Sequence, residues 1–436
     1  MITWRPVAIF AAVLVTLPAW PWPWLGLLVA LILTTALAVV DITLAPSPAR
    51  VTMWRTGGTT LRLGGSVDVT LHLRNDGDQP IRGLVRDAWT PSAGSSNEKY
   101  EIDLPAGSTA TMTTTLTPLR RGDRSAVRVT VRSYGPFRFG YRQTGHATAD
   151  RLTPPWSVRV LPPFHARKHL PEKLARLRVV EGTVARRGRG QGTEFDALRE
   201  YVPGDDVRSI DWRSSARSSS IVVKNWRVER DRRVLSIIDC GRTSAVRVGD
   251  EPRLDAQIEA CLLLSTVASY AGDRVDALAI DTQVRAAVDG GSRKNVVPRI
   301  ITALAPLQPS LVETDFGLVV GEVLRRESKR ALVVLFSSLD PGAITESLLP
   351  ALPQLSARHK VVIATVTDPR IEQLRSSRGS LNSLYRAAAA EQYLLERRKV
   401  AAALARYDVD VIEAGTDTFA SSVVDRYLAL KASGRL

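Results

Sequence analysis

The sequence predicts a multidomain protein: a transmembrane helical hairpin, an all-β sandwich and a C-terminal doubly wound α/β domain. Three observations carry this. The first 45 residues hold two long apolar runs, the next stretch has a hydrophobic period of two, and residues 233–436 alternate apolar strand candidates with helical segments. At 436 residues the chain has room for two or three domains. Its 44% hydrophobic and 24% charged residues exclude a disordered chain.

The hairpin occupies residues 1–45. Its apolar runs, Ile2–Trp20 and Trp24–Val40, are each near the ~20 residues that cross a bilayer. Between them Pro18 to Trp24 alternates proline and tryptophan, a tight turn with interfacial aromatics. A cleaved leader fits less well, although Ala36-Leu37-Ala38 has the small-residue form of a cleavage site: the apolar stretch is too long and no strongly basic region precedes it. Arg5, Arg50 and Arg55 flank the runs while the turn is uncharged, so both ends are expected in the cytoplasm, with everything after Val40.

Residues 46–164 alternate. Val67 to Leu73, Ala110 to Leu116 and Ala126 to Val131 each read apolar–polar, separated by turns such as Asn75-Asp76-Gly77-Asp78. Short strands at this spacing predict an immunoglobulin-like antiparallel sandwich, a spacer or binding module. No constellation in it suggests chemistry.

Residues 165–232 form a basic linker followed by a charged signature. Arg167 to Gly190 carries eight Lys/Arg against two Glu, part of a formal net charge of +15. Such a tract suits anionic lipid, an acidic client or nucleic acid. Beside apolar runs, lipid comes first, and no aromatic residues interleave for base stacking, so nucleic acid is not expected. Arg186 to Gly192 is glycine-rich but lacks the spacing of a phosphate loop and reads as flexible.

The signature runs from Gly192 to Arg217. Glu194, Asp196, Glu200, Asp205, Asp206 and Asp211 face Arg199, Arg208, Arg213 and Arg217, with Phe195, Leu198, Tyr201, Val202 and Trp212 threaded between. Pro203-Gly204-Asp205 is a turn. Phe195, Leu198 and Tyr201 lie three apart, as on a short helix, whereas Ile210 and Trp212 alternate with charge, as on an extended segment. Asp205 and Asp206 look like a catalytic pair, yet adjacent side chains diverge and each has an arginine near in sequence. A structural ion-pair clamp is the expectation, a partner surface the next, catalysis the last.

This pattern, G-x-E-F-x-x-L-R-x-Y-x-P-G-D-D-x-R-x-I-D-W-x-x-S-A-R, resembles the signature of the family called domain of unknown function 58. Leu119-Arg120-Arg121-Gly122 and Tyr134 to Phe139 resemble segments preceding it in that family. The resemblance implies a membrane-anchored chain ending in a von Willebrand factor A-like domain, often encoded beside a MoxR-type AAA+ ATPase. That ATPase is the implied partner.

From residue 233 on, strand candidates are Val234–Ile238, Val275–Ile280, Ala331–Phe336, Lys360–Val366 and Val409–Ile412. Helical spacing falls on Leu254–Ala271, Val296–Leu304, Phe316–Arg326, Ala343–Leu355 and Leu384–Tyr407. Near-continuous apolar strands suit a parallel sheet covered on both faces, whose ligands bind beyond the carboxyl ends of the strands. There the first strand ends in Asp239-Cys240-Gly241-Arg242-Thr243-Ser244. By resemblance this is the D-x-S-x-S metal loop of von Willebrand A-like domains, with Asp239 and Thr243 kept and Gly241 lacking a hydroxyl. A further acid is implied after the Ala331–Phe336 strand, where Ser338 stands and Asp340 lies far along. A degenerate site is expected: no cofactor, with Mg²⁺ possible only weakly.

His72, His146, His165, His169 and His359 form no metalloprotease motif. Cys240 and Cys261 have no metal-ligand spacing and suit a reducing compartment. The expectation is a non-enzymatic, membrane-anchored adaptor or assembly protein working with a MoxR-type ATPase on a client. A cell-envelope enzyme using Asp205/Asp206, and a lipid- or nucleic-acid-binding module using Arg167–Arg189, are the alternatives.

Overall fold

The computed structural model describes residues 2–16, 22–187, 194–203, 205–227, 232–291 and 295–436, with backbone alone for 182–187, 194–197 and 225–227. The chain divides into two compact units, Met1–Pro163 and Phe164–Leu436.

The first unit opens with α1 (Trp4–Thr16) packed on α2 (Pro23–Leu44). The 22 residues of α2 rise ~1.5 Å each and so match the ~30 Å of a hydrocarbon core, and the helix is apolar enough to cross a membrane. With 13 residues α1 is shorter than a span. Two spans are expected from sequence; among the described residues one helix has spanning length. Residues 17–21 of the expected turn lie outside the described residues.

An acid fixes the end of α2. Asp41 is buried, and its carboxylate accepts the backbone N–H groups of Phe137 at 2.8 Å, Phe139 at 2.7 Å and Gly140 at 2.8 Å. A carboxylate on an apolar helix is costly unless its lone pairs are filled, and three amides fill them. The approach requires glycine: a Cβ on Gly135 would sit 2.3 Å from the Asp41 carboxyl carbon, and one on Gly140 2.3 Å from Ile42. Thr3, just before α1, donates its amide N–H to Phe139 C=O at 2.9 Å and its hydroxyl to Arg138 C=O at 2.7 Å. The start of α1 and the end of α2 therefore meet one turn, residues 135–140.

Nine strands follow: β1 (Val51–Gly57), β2 (Thr60–Arg62), β3 (Val67–Asn75), β4 (Ile81–Trp89), β5 (Lys99–Leu104), β6 (Thr109–Leu116), β7 (Gly122–Tyr134), β8 (Tyr141–Gln143) and, after α3 (His146–Leu152), β9 (Ser157–Leu161). One sheet has the order β1-β3-β6; the other runs β2-β9-β7-β4-β5, with β8 on β7. Period-two alternation buries Leu71, Leu73 and Met112 of the first sheet against Val85, Ile102, Val129 and Val131 of the second, in one core. Inside this unit Arg55 clamps Asp87 with two hydrogen bonds, 2.6 and 3.0 Å, and Trp89 Nε1 donates to the same carboxylate at 3.1 Å. Arg55 is therefore buried and neutralised. It does not belong with Arg5 and Arg50 as a surface charge flanking the hairpin.

The second unit starts with a 3₁₀ turn, His165–His169, and α4 (Leu170–Arg187). The expected linker is here a helix packed on later elements, because its charges have partners: the buried Lys173 Nζ lies 2.9 Å from both carboxylate oxygens of Asp425, and Arg176 joins them. Of the basic stretch 186–192, residues 188–192 lie outside the described residues. β10 (Glu194–Glu200) and β11 (Val222–Arg227) form an antiparallel pair, with α5 (Trp212–Ser215) between them in sequence.

Then come β12 (Arg233–Asp239), β13 (Arg247–Val248), β14 (Glu251–Pro252), α6 (Arg253–Tyr270), β15 (Arg274–Ile280), β16 (Val284–Val288), α7 (Val296–Leu304), α8 (Phe316–Arg326), β17 (Leu332–Phe336), α9 (Pro341–Ala343), α10 (Leu349–Ser356), β18 (Lys360–Val366), α11 (Pro369–Ser376), α12 (Leu381–Ala405), β19 (Asp410–Ala414) and α13 (Thr416–Ser433). The six-stranded sheet has the order β16-β15-β12-β17-β18-β19, parallel except for the edge strand β16. Its core gathers Leu235, Ile237, Val333, Leu335 and Ile363 with Phe316, Val320, Leu352 and Leu404 from α8, α10 and α12. Helix α6 packs on β12, β15 and β18 and is itself covered by α4, α7 and α13, so it is apolar nearly all round rather than carrying one stripe. The chain leaves β12 for β15 on one side and returns to β17 on the other, making the end of β12 the topological switch point.

Candidate functional site

The signature folds differently from its spacing. Phe195, Leu198 and Tyr201 do not share a helix: residues 194–200 form β10, with a bulge between Phe195 and Ala197. Pairing with the β-branched Val222-Val223 outweighs the three-residue spacing. Beyond the turn, a 3₁₀ turn, Val207–Ser209, leads into Ile210, which is extended and bridges Val223 as expected, whereas Trp212 opens α5. Two carboxylates impose this. Asp206 accepts the Arg208 backbone N–H at 2.9 Å, and Asp211 accepts those of Arg213 and Ser214, both at 3.0 Å, each as an N-cap.

Asp205 takes a third role. It receives both terminal nitrogens of Arg199, at 2.5 and 2.7 Å, and the Val202 N–H at 3.0 Å. The hydrogen bonds that Arg199 donates to Asp205 raise the Arg199 pKa. The Ser214 amide, assisted by Lys224 at 3.3 Å, holds Asp211 below the usual carboxylate range. Arg208 meets Asp206 through its backbone, not through the guanidinium pair its position suggests. Arg217 is exposed, its amide donating to Ser214 C=O at 3.1 Å. Pro203 is exposed, Gly204 lies outside the described residues, and Glu194 and Phe195 are described by backbone only. Val202, Val207 and Trp212 face solvent, Trp212 being 65% exposed.

The second candidate sits at the switch point. Asp239 ends β12, is buried, and accepts four donors: Gly241 N–H at 2.8 Å, Thr243 Oγ1 at 3.2 Å, Ser337 Oγ at 2.6 Å and Thr314 Oγ1. Gly241 is needed for a steric reason. A Cβ there would come 2.3 Å from Thr314 Oγ1 and 2.9 Å from Val312 O. The glycine that removes one hydroxyl thus admits another, from the 309–315 loop. The same loop is tied to the neighbouring strand end: Ser310 Oγ donates to Asp281 at 2.7 Å and to Cys240 C=O at 3.0 Å. Burial pushes the Asp281 carboxyl up, but hydrogen bonds from Ser310 and Arg285 outweigh it and hold the group below its usual range.

Thr314, Ser310 and Asp281 are the residues the sequence reading missed, and Ser337 rather than Ser338 reaches Asp239. Asp340 caps α9 instead, accepting Gly342 N–H at 3.1 Å. A hard divalent ion fits this donor set poorly. A carboxylate offers about four lone-pair positions, and those of Asp239 already face four donors. Among the described residues no cluster of three His, Cys, Asp or Glu converges. The cavity beside Asp239 measures about 10 Å³, room for roughly one water. Two cations of the chain stand there too: Arg242 lines the cavity, paired with Glu313 at 2.5 Å, and Arg253 Nη1 donates to Thr243 C=O at 2.8 Å. Burial lowers the Arg253 pKa.

Residues 197–408 match the model of the family described as "Protein of unknown function DUF58", so the resemblance read from the signature is shown. Relatives include the proteins described as uncharacterized protein Rv1480 of Mycobacterium tuberculosis and uncharacterized protein Mb1516 of Mycobacterium bovis. Each is 28% identical over 189 residues, 42% of this chain and 58% of the relative. The chain thus spans under two thirds of their length. Among solved structures, the CARDB domain of the PF1109 protein from Pyrococcus furiosus is 14% identical and covers 25% of this chain and 91% of its own. With a TM-score of 0.19 it carries no argument.

Proposed function

We propose that the protein is a membrane-anchored, non-enzymatic adaptor that presents its signature to a partner machine. One observation carries this: Asp205, Asp206 and Asp211 are consumed in caps and ion pairs, while Val202, Val207 and Trp212 around them are left exposed. Acids so engaged are poor general bases, and an exposed tryptophan among aliphatic residues is the composition of a binding hot spot. The family resemblance supplies the partner, a MoxR-type AAA+ ATPase acting on a client. In this reading the first unit is an immunoglobulin-like spacer and the second a von Willebrand A-like domain whose Asp239 cluster is a hydrogen-bonded remnant of a metal loop.

The anchor in this proposal is a two-span hairpin with both ends on the cytoplasmic side. Contacts of Thr3 and of Asp41 with the same turn support it, because a helix that leaves that turn must return to it. The test is purification of the full chain from native membranes. Wild type is expected to bring down the ATPase, and Trp212→Ala or Val207→Ser to lose it while keeping the wild-type melting profile. Absence of the ATPase from the wild-type sample, or normal association of both variants, overturns the adaptor reading.

A further inference from the structure

The turn 135–140 holds more than a helix end. Around it stand Trp4, 74% exposed, and Phe137, 56% exposed, together with Arg5, Arg138 and Arg142, all exposed. Arg5 Nη1 reaches Phe137 C=O at 3.5 Å and Arg142 Nη1 reaches Ala45 C=O at 3.3 Å, so these arginines belong to the base of the two helices. The one acid at the centre, Asp41, is turned inward onto three amides. It offers the arginines nothing.

We infer that this turn seats the folded unit on the bilayer: Phe137 and Trp4 enter the headgroup–acyl boundary, and Arg5, Arg138 and Arg142 bind the phosphates of anionic phospholipid. The occupant follows from continuity. Helix α2 runs out of this turn as a largely apolar 22-residue helix with Leu25, Leu28, Ile32, Leu33 and Val40 exposed, side chains suited to hydrocarbon. Whatever surrounds the end of that helix is one or two turns from the hydrocarbon edge, where aromatic rings and long cationic side chains settle. The turn is also rigid. Its amides are held by Asp41, its carbonyls by Thr3, and close packing on α2 forbids side chains at Gly135 and Gly140. Asp41 is thus a positioning residue, fixing the collar at one depth. The collar assigns lipid recognition to the first unit, while Lys173 and Arg176 of the Arg167–Arg189 tract spend their charge on Asp425.

This inference rests on the membrane-anchored reading, and its test keeps the two apart. Both native cysteines are buried, so the full chain accepts a nitroxide label at Phe137→Cys, and at Leu119→Cys, exposed in the same unit, as control. The labelled proteins are reconstituted in phosphatidylcholine vesicles with and without phosphatidylglycerol. The label at 137 is expected to be more accessible to oxygen than to an aqueous nickel chelate, and the label at 119 the reverse. Spin-labelled phosphatidylglycerol is expected to be immobilised in preference to phosphatidylcholine, and each of R5Q, R138Q and R142Q to lower that preference by up to about fivefold. Release of the full chain from native membranes by alkaline carbonate would sink the anchor itself. Stable integration with an aqueous label at 137, or a lipid preference unchanged when R5Q, R138Q and R142Q are combined, would overturn the collar alone.

Discussion

Two arginine–carboxylate pairs with the same end-on geometry, both terminal guanidinium nitrogens on both carboxylate oxygens, do two different jobs in this molecule. Arg55 and Asp87 join inside the β-rich unit with side chains 0% and 1% exposed, under the Trp89 ring at 5.0 Å. Arg199 and Asp205 join in the signature with side chains 41% and 20% exposed. Geometry is alike; surroundings are not. In the first pair each charge has left water and depends on the other. In the second, water competes for both partners and the pair costs little to open. Charge density along a sequence therefore says little about which clamp holds a fold. A fully buried ion pair lies in a domain that reads as bland, while the charged signature is a surface.

The largest effect is expected at the buried pair. Arg55→Met or Asp87→Asn leaves the other group without its counter-charge and should cost ~3–5 kcal/mol. Hydrogen exchange in β1, β4 and β7 of the full chain would register it. Arg55→Met combined with Asp87→Leu should recover most of the loss, since an apolar pair strands no charge. A double variant as unstable as the singles would show that the hydrogen bonds Trp89 and Thr114 donate to Asp87, at 3.1 and 3.5 Å, and not the ion pair, set the cost.

Next comes the strand-end cluster. Asp239→Ala removes the acceptor from Gly241, Thr243, Thr314 and Ser337, and each buried donor left unpaired costs ~1–3 kcal/mol unless water enters. The melting temperature of the second unit should fall, with or without Mg²⁺. Added Mg²⁺ should leave the wild-type melt in place, because a ligand stabilises only by binding the folded state. A Mg²⁺-dependent rise that Asp239→Ala abolishes would show that the hydroxyls turn their lone pairs to an ion and that the remnant reading is wrong.

A third, smaller effect depends on pH. His359 is buried, and neither ring nitrogen has a hydrogen-bond partner among the described residues. Burial, with Arg358 beside it, lowers its pKa. A histidine lowered in the folded state contributes stability above the unfolded value of ~6.5 and loses it as pH falls through that value. Stability should then decline below about pH 6.5 by at most ~1.4 kcal/mol per pH unit for this one proton. His359→Gln should flatten that limb in a denaturant series, and an unchanged acid limb would place the proton uptake elsewhere.

How much of this was legible follows the same division between local and distant causes. Helices Val296–Leu304 and Phe316–Arg326 fall where the spacing puts them, and β12, β15, β17, β18 and β19 coincide with the apolar runs to within a residue or two. The helices bury the stripe their period selects, and β12, β15, β17 and β18 are buried nearly end to end, as continuous apolar runs require. Strand β16 escaped because it is an edge, with Val284 and Arg285 exposed and little apolar signal. The signature misled because its helix-like spacing belongs to a bulged strand whose partner lies beyond the turn. At the switch point Asp239 is readable as the acid ending an apolar strand. Its donors Thr314 and Ser337 are not, being 75 and 98 residues away and brought in only by the parallel crossover.

The smallest stability effect is expected where the sequence is most charged, and it discriminates best. Arg199→Ala opens an exposed pair whose carboxylate keeps the Val202 N–H and finds water, so the melting profile of the full chain should match wild type. Asp205→Asn should also melt normally. It loses one of the two oxygens that accept from Arg199, and with it part of what raises the Arg199 pKa, but keeps an oxygen for the Val202 amide. What should change is the attitude of the turn: Arg199 ties the end of β10 to the residues after Pro203, and so sets where Val202 and Val207 stand relative to Trp212. Association with the proposed partner ATPase should therefore weaken in both variants and return in a charge-swapped Arg199→Asp, Asp205→Arg double. Unaltered association with a lost cellular phenotype would mean that the carboxylate itself does chemistry, and the enzyme reading would replace the adaptor. A melting temperature that fell as far as that of Asp87→Asn would break the comparison from the other side, by showing that something in the full assembly buries this pair too.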